Sequence, residues 1–140
     1  MGKISNTDYH SLAAFRFEIR KFLAFSEQAA RSAGIEPQQH QLLLIVRSMS
    51  GDARPTIRLA ADRLCVKHHT AVALVDKLER RRLLARERGS ADKREVLLRL
   101  TAEGEEMLHE LSSVHREQLR TVGPAMVSAL QLILGLQAAE

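Results

Sequence analysis

From residue 8 to residue 31 the apolar residues Leu12, Phe15, Ile19, Phe22 and Leu23 return at steps of three and four, a spacing that places them on one side of a helix. Phe17 and Phe25 fall off that stripe, so the helix is apolar on more than one side and needs two packing partners. Gly34 ends it. Residues 36–49, with Leu42, Leu43, Ile45 and Val46, read as a second, well-buried helix stopped by Ser50, Gly51 and Asp52. Thr56, after Pro55, caps a short helix over 57–64, its hydroxyl taking a first-turn amide. Cys65, Val66 and Lys67 break the period, and a run over 68–81 resumes with Ala71, Leu74, Val75 and Leu78 facing inward. Two short helices across a tight turn form a helix-turn-helix.

The period then changes to two. Val96, Leu98 and Leu100 alternate with Leu97 and Arg99, which predicts a half-buried strand over 95–100 paired with 84–88, the turn lying in 89–94. Thr101 caps a long amphipathic helix to residue 119 with Met107, Leu108, Leu111 and Val114 inward, and Gly123 and Pro124 separate it from a final apolar helix over 126–136. The predicted fold is mainly α with a small β-hairpin wing: a winged helix-turn-helix over 36–101, a connecting helix over 101–119, and dimerisation helices in 1–34 and 119–140, together one structural domain. Leu12, Phe15 and Ile19 on the first helix and Leu130, Ile133 and Leu134 on the last are too apolar for free surface, and a second copy of the chain is their expected partner.

Composition narrows the chemistry. With 45% hydrophobic and 27% charged residues in 140, the chain has the make-up of a folded domain and not of a disordered one. Aromatics at 4% and the absence of Trp leave little for stacking unpaired bases, which favours duplex over single-stranded nucleic acid. The net charge of +4 is unevenly spread: residues 54–99 hold 13 Lys/Arg against 6 Asp/Glu, and the remainder 8 against 11. Such local positive density suits phosphate. No apolar run approaches the roughly 18 residues of a membrane helix and the amino terminus has no secretory segment, so no membrane partner and a cytoplasmic location are expected. Cys65, the single cysteine, can close no internal disulfide; a buried small residue is expected there in preference to a redox switch. His10, His40, His109 and His115 do not supply the three or four spaced ligands of a zinc site, so neither metal nor cofactor is expected. No phosphate-cradling glycine loop, nucleophile elbow or paired-carboxylate motif suggests an enzyme.

Fixing the inward face of the 68–81 helix leaves His69, Val72, Ala73, Asp76 and Arg80 outward, with Lys67 and His68 at its entry. In a major groove Lys67, His68 and His69 are the expected polar readers, joined by Thr70 and by Thr56 of the preceding cap, while Val72 and Ala73 suit thymine methyls. Lys77 and Arg80 to Arg82 lie where phosphates are nearer than bases. In the hairpin Arg86, Arg88, Lys93 and Arg94 are expected to follow the backbone into the minor groove, and Asp92 to hold Arg94 through a charge-assisted pair.

These motifs resemble the MarR (multiple antibiotic resistance regulator) family of bacterial winged helix-turn-helix regulators. The resembling residues are 56–64 (TIRLAADRL), the stretch 70–84 with Leu74-Val75-Asp76-Lys77-Leu78-Glu79, and Asp92-Lys93-Arg94 followed by Leu100-Thr101-Ala102-Glu103-Gly104. The last is similar to the family's Asp-x-Arg wing with Leu-Thr-x-x-Gly downstream. The resemblance implies a homodimer on a pseudo-palindromic duplex operator, Arg94 in the minor groove, and a small-molecule effector that relieves repression. Metal-responsive, redox-responsive and purely architectural members of the same fold are the alternatives it leaves. The chain departs from the family in carrying Arg82 where Gly is common, Lys67 in a slot usually held by a capping Ser or Asp, and Val72 and Ala73 where polar groups are usual.

Overall fold

Helix ends in this chain are set by short-range hydrogen bonds. In the computed structural model, which describes residues 2–49, 54–89 and 92–136, α1 (Asn6–Ser32) opens with Ser5 and Asp8 bonded reciprocally. The Ser5 amide donates to the Asp8 carboxylate at 2.8 Å and holds that carboxyl below its ordinary pKa. Pro37 starts α2 (Pro37–Ser48), and Gln39 accepts from the Glu36 amide at 3.0 Å. Thr56 accepts from the Leu59 amide at 3.2 Å and begins α3 (Ile57–Leu64). The chain turns through Cys65 at φ 58° and enters α4 (His68–Arg80). Strands β1 (Leu84–Arg88) and β2 (Val96–Leu100) and helix α5 (Ala102–Leu134) complete the order. The stop expected at Ser50, Gly51 and Asp52, the Ser90 and Ala91 positions of the wing turn, and residues 137–140 of the second dimerisation segment lie outside the described residues.

The contacts divide the chain into two compact units, residues 30–111 and residues 1–29 with 112–140. Within 30–111, Leu42, Leu43, Val75, Leu78 and Leu84 are almost wholly buried, each contributing roughly 1.5–3 kcal/mol on removal from water. The hairpin is antiparallel with Leu84 opposite Leu100, Arg86 opposite Leu98 and Arg88 opposite Val96. On the far side of β2 the Leu98 amide donates to the Pro55 carbonyl at 2.7 Å, so the segment before α3 flanks the sheet. The Leu-Thr-x-x-Gly motif closes the hairpin onto α5. The Thr101 hydroxyl donates to the Arg82 carbonyl at 2.6 Å and accepts from the Gly104 amide at 3.0 Å. Gly104 is required by close approach, since a Cβ there would meet the Leu83 carbonyl oxygen at 2.0 Å.

Within the other unit His115 of α5 lies edge-on to Phe22 and Phe25 and is hydrogen-bonded to the buried Ser26 hydroxyl at 2.7 Å. Two sequence expectations are corrected on α5. Pro124 does not separate two helices: it sits inside one helix that runs from Ala102 to Leu134. The better-covered positions Leu108, Leu111, His115, Gln118, Val122, Met126, Ala129 and Ile133 keep helical spacing straight through it, while Pro124 itself is exposed. Water can therefore serve the carbonyl that proline leaves without a donor. The same stripe puts His115, not Val114, inward; Val114 is 48% exposed. No described helix is long and apolar enough to cross a membrane.

Candidate nucleic-acid interface

Ala71, Leu74, Val75 and Leu78 lock one side of α4 into the core, which fixes what the opposite side presents. Lys67, His68, His69, Ala73, Lys77 and Arg80 are exposed, and Thr70, Val72 and Asp76 half-buried. Lys67 stands at the cap position with extended backbone and its side chain caps no amide, as the departure from a capping Ser or Asp implies. Thr56, half-buried at the start of α3, uses its hydroxyl oxygen as the helix cap.

The turn from α4 into the wing depends on a left-handed residue. Arg82 takes φ 60° where a glycine would be unstrained. Its amide donates to the Glu79 carbonyl at 3.0 Å, and the Leu83 amide to that of Leu78 at 3.0 Å. The arginine thus adopts the conformation of the glycine it replaces. At the far end of the hairpin the Asp92 carboxylate accepts from the Arg94 backbone amide at 3.0 Å and from its guanidinium at 3.4 Å. Arg88 donates to the Lys93 carbonyl at 2.9 Å, and the Gly89 amide to the Glu95 carbonyl at 2.8 Å. Asp92 therefore holds Arg94 while the Arg94 side chain stays 93% exposed, the arrangement of a cation kept ready for a phosphate or a narrow groove.

Arg86 is the correction. Expected to project toward nucleic acid, it shares its face of β1 with Leu84 and is paired across with Leu98, so the strand turns it toward α4. There its guanidinium donates to Asp76 at 2.7 Å and to Glu79 at 2.8 Å, with the side chain only 28% exposed. The Asp76 hydrogen bond raises its pKa above the ordinary arginine value, burial opposes the rise, and the charges of Glu79 and Asp76 add to it. Strand parity was the available signal: a charged residue two positions from Leu84 belongs to the inner face. Arg54, absent from the expected set, pairs with Glu95 beside the wing's turn, a link between segments far apart in sequence that no local pattern announces.

Cys65 is exposed, not buried, because the left-handed turn that ends α3 carries its side chain away from the buried Ala60 and Ala61. His40 is buried in α2, His10 and His109 are exposed, and His115 lies among Phe22, Phe25 and Ser26. Among the described residues no three or more His, Cys, Asp or Glu side chains gather where they could hold a metal ion. Of the positions read as a dimerisation surface, Leu12, Leu130 and Leu134 are 45%, 40% and 60% exposed, and Phe15, Ile19 and Ile133 half-buried.

A family model described as MarR family matches residues 33–95. No curated protein matches the sequence. Among solved structures the fold is similar to the MepR–DNA complex of Staphylococcus aureus (TM-score 0.68, 20% identity, 95% of this chain and 98% of that one). It is likewise similar to AbsC, a MarR family transcriptional regulator from Streptomyces coelicolor (TM-score 0.72, 17% identity, 87% and 82%). A third match is CouR from Rhodococcus jostii bound to p-coumaroyl-CoA (TM-score 0.64, 22% identity, 86% and 88%). The fold is accordingly the winged helix of these structures.

Proposed function

We propose that the chain is a MarR-family, sequence-specific duplex-DNA-binding transcriptional regulator, acting in the cytoplasm as a dimeric repressor, a reading that the family-model match over residues 33–95 supports. One observation carries the reading. The exposed face of α4, with His68, His69, Ala73 and Lys77, stands in the same unit as a wing whose Arg94 is held by Asp92 yet 93% exposed. A helix of this kind fits the major groove and an arginine at a hairpin tip suits the minor groove beside it. The similarity to MepR, solved with DNA, supports the same use of the fold here.

Lys67, His68, His69 and Thr70 then face bases, Val72 and Ala73 meet thymine methyls, and Lys77, Arg88 and Lys93 meet phosphates. Arg86 leaves the contact set. A second copy covers the exposed leucines of α1 and α5, which gives a two-fold protein and two half-sites about one helical turn apart. A small-molecule effector that relieves repression completes the reading, supported by the likeness to CouR, solved with p-coumaroyl-CoA. Selection from a pool of randomised duplexes tests the reading: an inverted repeat is the expected product, and a pool still random after repeated rounds refutes it.

A further inference from the structure

The wing is a two-stranded hairpin, an element of marginal stability unless something else holds it. Its base is held by packing, because Leu84, Leu98 and Leu100 are buried. Its far half is not packed, since Arg88 and Val96 are both exposed, and it is tied to the segment before α3 through the Arg54–Glu95 ion pair. Between them, Arg86 reaches across to α4 and meets two carboxylates, Asp76 at 2.7 Å and Glu79 at 2.8 Å, one on each terminal nitrogen of its guanidinium. Asp76 and Glu79 are three residues apart and so lie on one face of the helix. A planar fork pinned at two points fixes direction as well as distance, which a single charge contact does not.

We propose that Arg86 is a positioning residue: its double pairing to Asp76 and Glu79 sets the spacing between the recognition helix and the wing, and hence whether α4 and Arg94 can reach adjacent grooves together. The proposal rests on the DNA-binding reading above for its consequence, but the geometric claim stands on the protein alone. It also accounts for two carboxylates on a helix otherwise suited to phosphate. Each is partnered by Arg86, which is turned toward α4, so their cost in repulsion is offset by the alignment they provide.

The test uses the full chain and separates alignment from charge. The Asp76→Asn/Glu79→Gln variant removes the pairing while making the protein more positive. Nitroxide labels at Ala73→Cys and Val96→Cys, in a Cys65→Ser background diluted with unlabelled chain, report the distance between α4 and the wing without DNA. The expected result is a distance distribution roughly doubled in width in the variant, with Arg86→Lys intermediate because an ammonium has no rigid fork. An unchanged distribution overturns the proposal. On a duplex selected by the wild-type chain, the variant is expected to bind about tenfold more weakly while a scrambled duplex loses nothing. Tighter binding to both duplexes would show that the carboxylates act only as charges, which also overturns it. A wild-type chain without sequence preference refutes the DNA-binding reading, and the label distances still decide the role of Arg86. Circular dichroism and the thermal midpoint confirm that each variant is folded.

Discussion

The two units use their apolar residues in opposite ways. Among the described residues, every buried apolar side chain except Ala129 lies in 30–111, whereas every exposed large apolar one except Leu44 and Val96 lies in the unit of 1–29 and 112–140. The first unit closes a core around α2, α3, α4 and the hairpin from its own residues. The second consists of helix segments with Leu12, Phe17, Leu23, Val127, Leu132 and Leu134 left toward solvent, and an apolar surface of that kind calls for a partner. The winged unit closes its core from one chain, while the helical unit leaves an apolar surface that the proposed second copy would cover.

The sharpest way to break this comparison is a truncation in each unit. Leu78 is fully buried, and Leu78→Ala is expected to cost about 2–5 kcal/mol in urea denaturation, with the same loss at every protein concentration. Leu130→Asp in the other unit is expected to weaken self-association by about 2–4 kcal/mol, seen by sedimentation equilibrium, while the far-ultraviolet spectrum keeps its helical shape. A wild-type chain whose thermal midpoint does not rise with concentration would remove the contrast, because mass action couples the two wherever association stabilises the fold.

Smaller changes probe the joints of the winged unit. Gly104→Ala forces the Leu83 carbonyl away from a 2.0 Å overlap, and about 1–3 kcal/mol of stability should be lost. Arg82→Gly relieves a left-handed residue at φ 60° and is expected to raise stability by about 0.5–1 kcal/mol. A loss at Arg82→Gly would mean that the arginine side chain contributes more there than its backbone conformation costs.

Much of this architecture is legible in the sequence wherever the determinant is local. The Thr56 cap and the change from helical to two-residue period place α3 at 57–64 and β1 at 84–88, and the structure has both at those bounds. Where the determinant is a neighbour far along the chain, local reading fails. Pro124 reads as a stop because the backbone rule is local, yet the buried stripe from Leu108 to Ile133 carries the helix past it. Cys65 reads as buried because small sulfur side chains usually are, but a left-handed turn exposes it. Arg86 reads as a groove contact by charge, although its parity with Leu84 already assigned it inward. Of the candidate site, Asp92 holding Arg94 follows from opposite charges two residues apart in a turn. The link between Arg86 and α4 requires the fold.

If α4 reads sequence while the wing grips phosphate, a salt titration of duplex binding separates the two roles. Affinity for a selected and a scrambled duplex is measured by fluorescence anisotropy across ionic strength, for wild type, His69→Ala and Arg94→Ala. His69→Ala is expected to lose about 1–3 kcal/mol on the selected duplex only. Arg94→Ala should weaken both duplexes and shallow the salt slope by about 0.9. Equal wild-type affinity for the selected and scrambled duplexes, or a salt slope unchanged by Arg94→Ala, would contradict that division of roles.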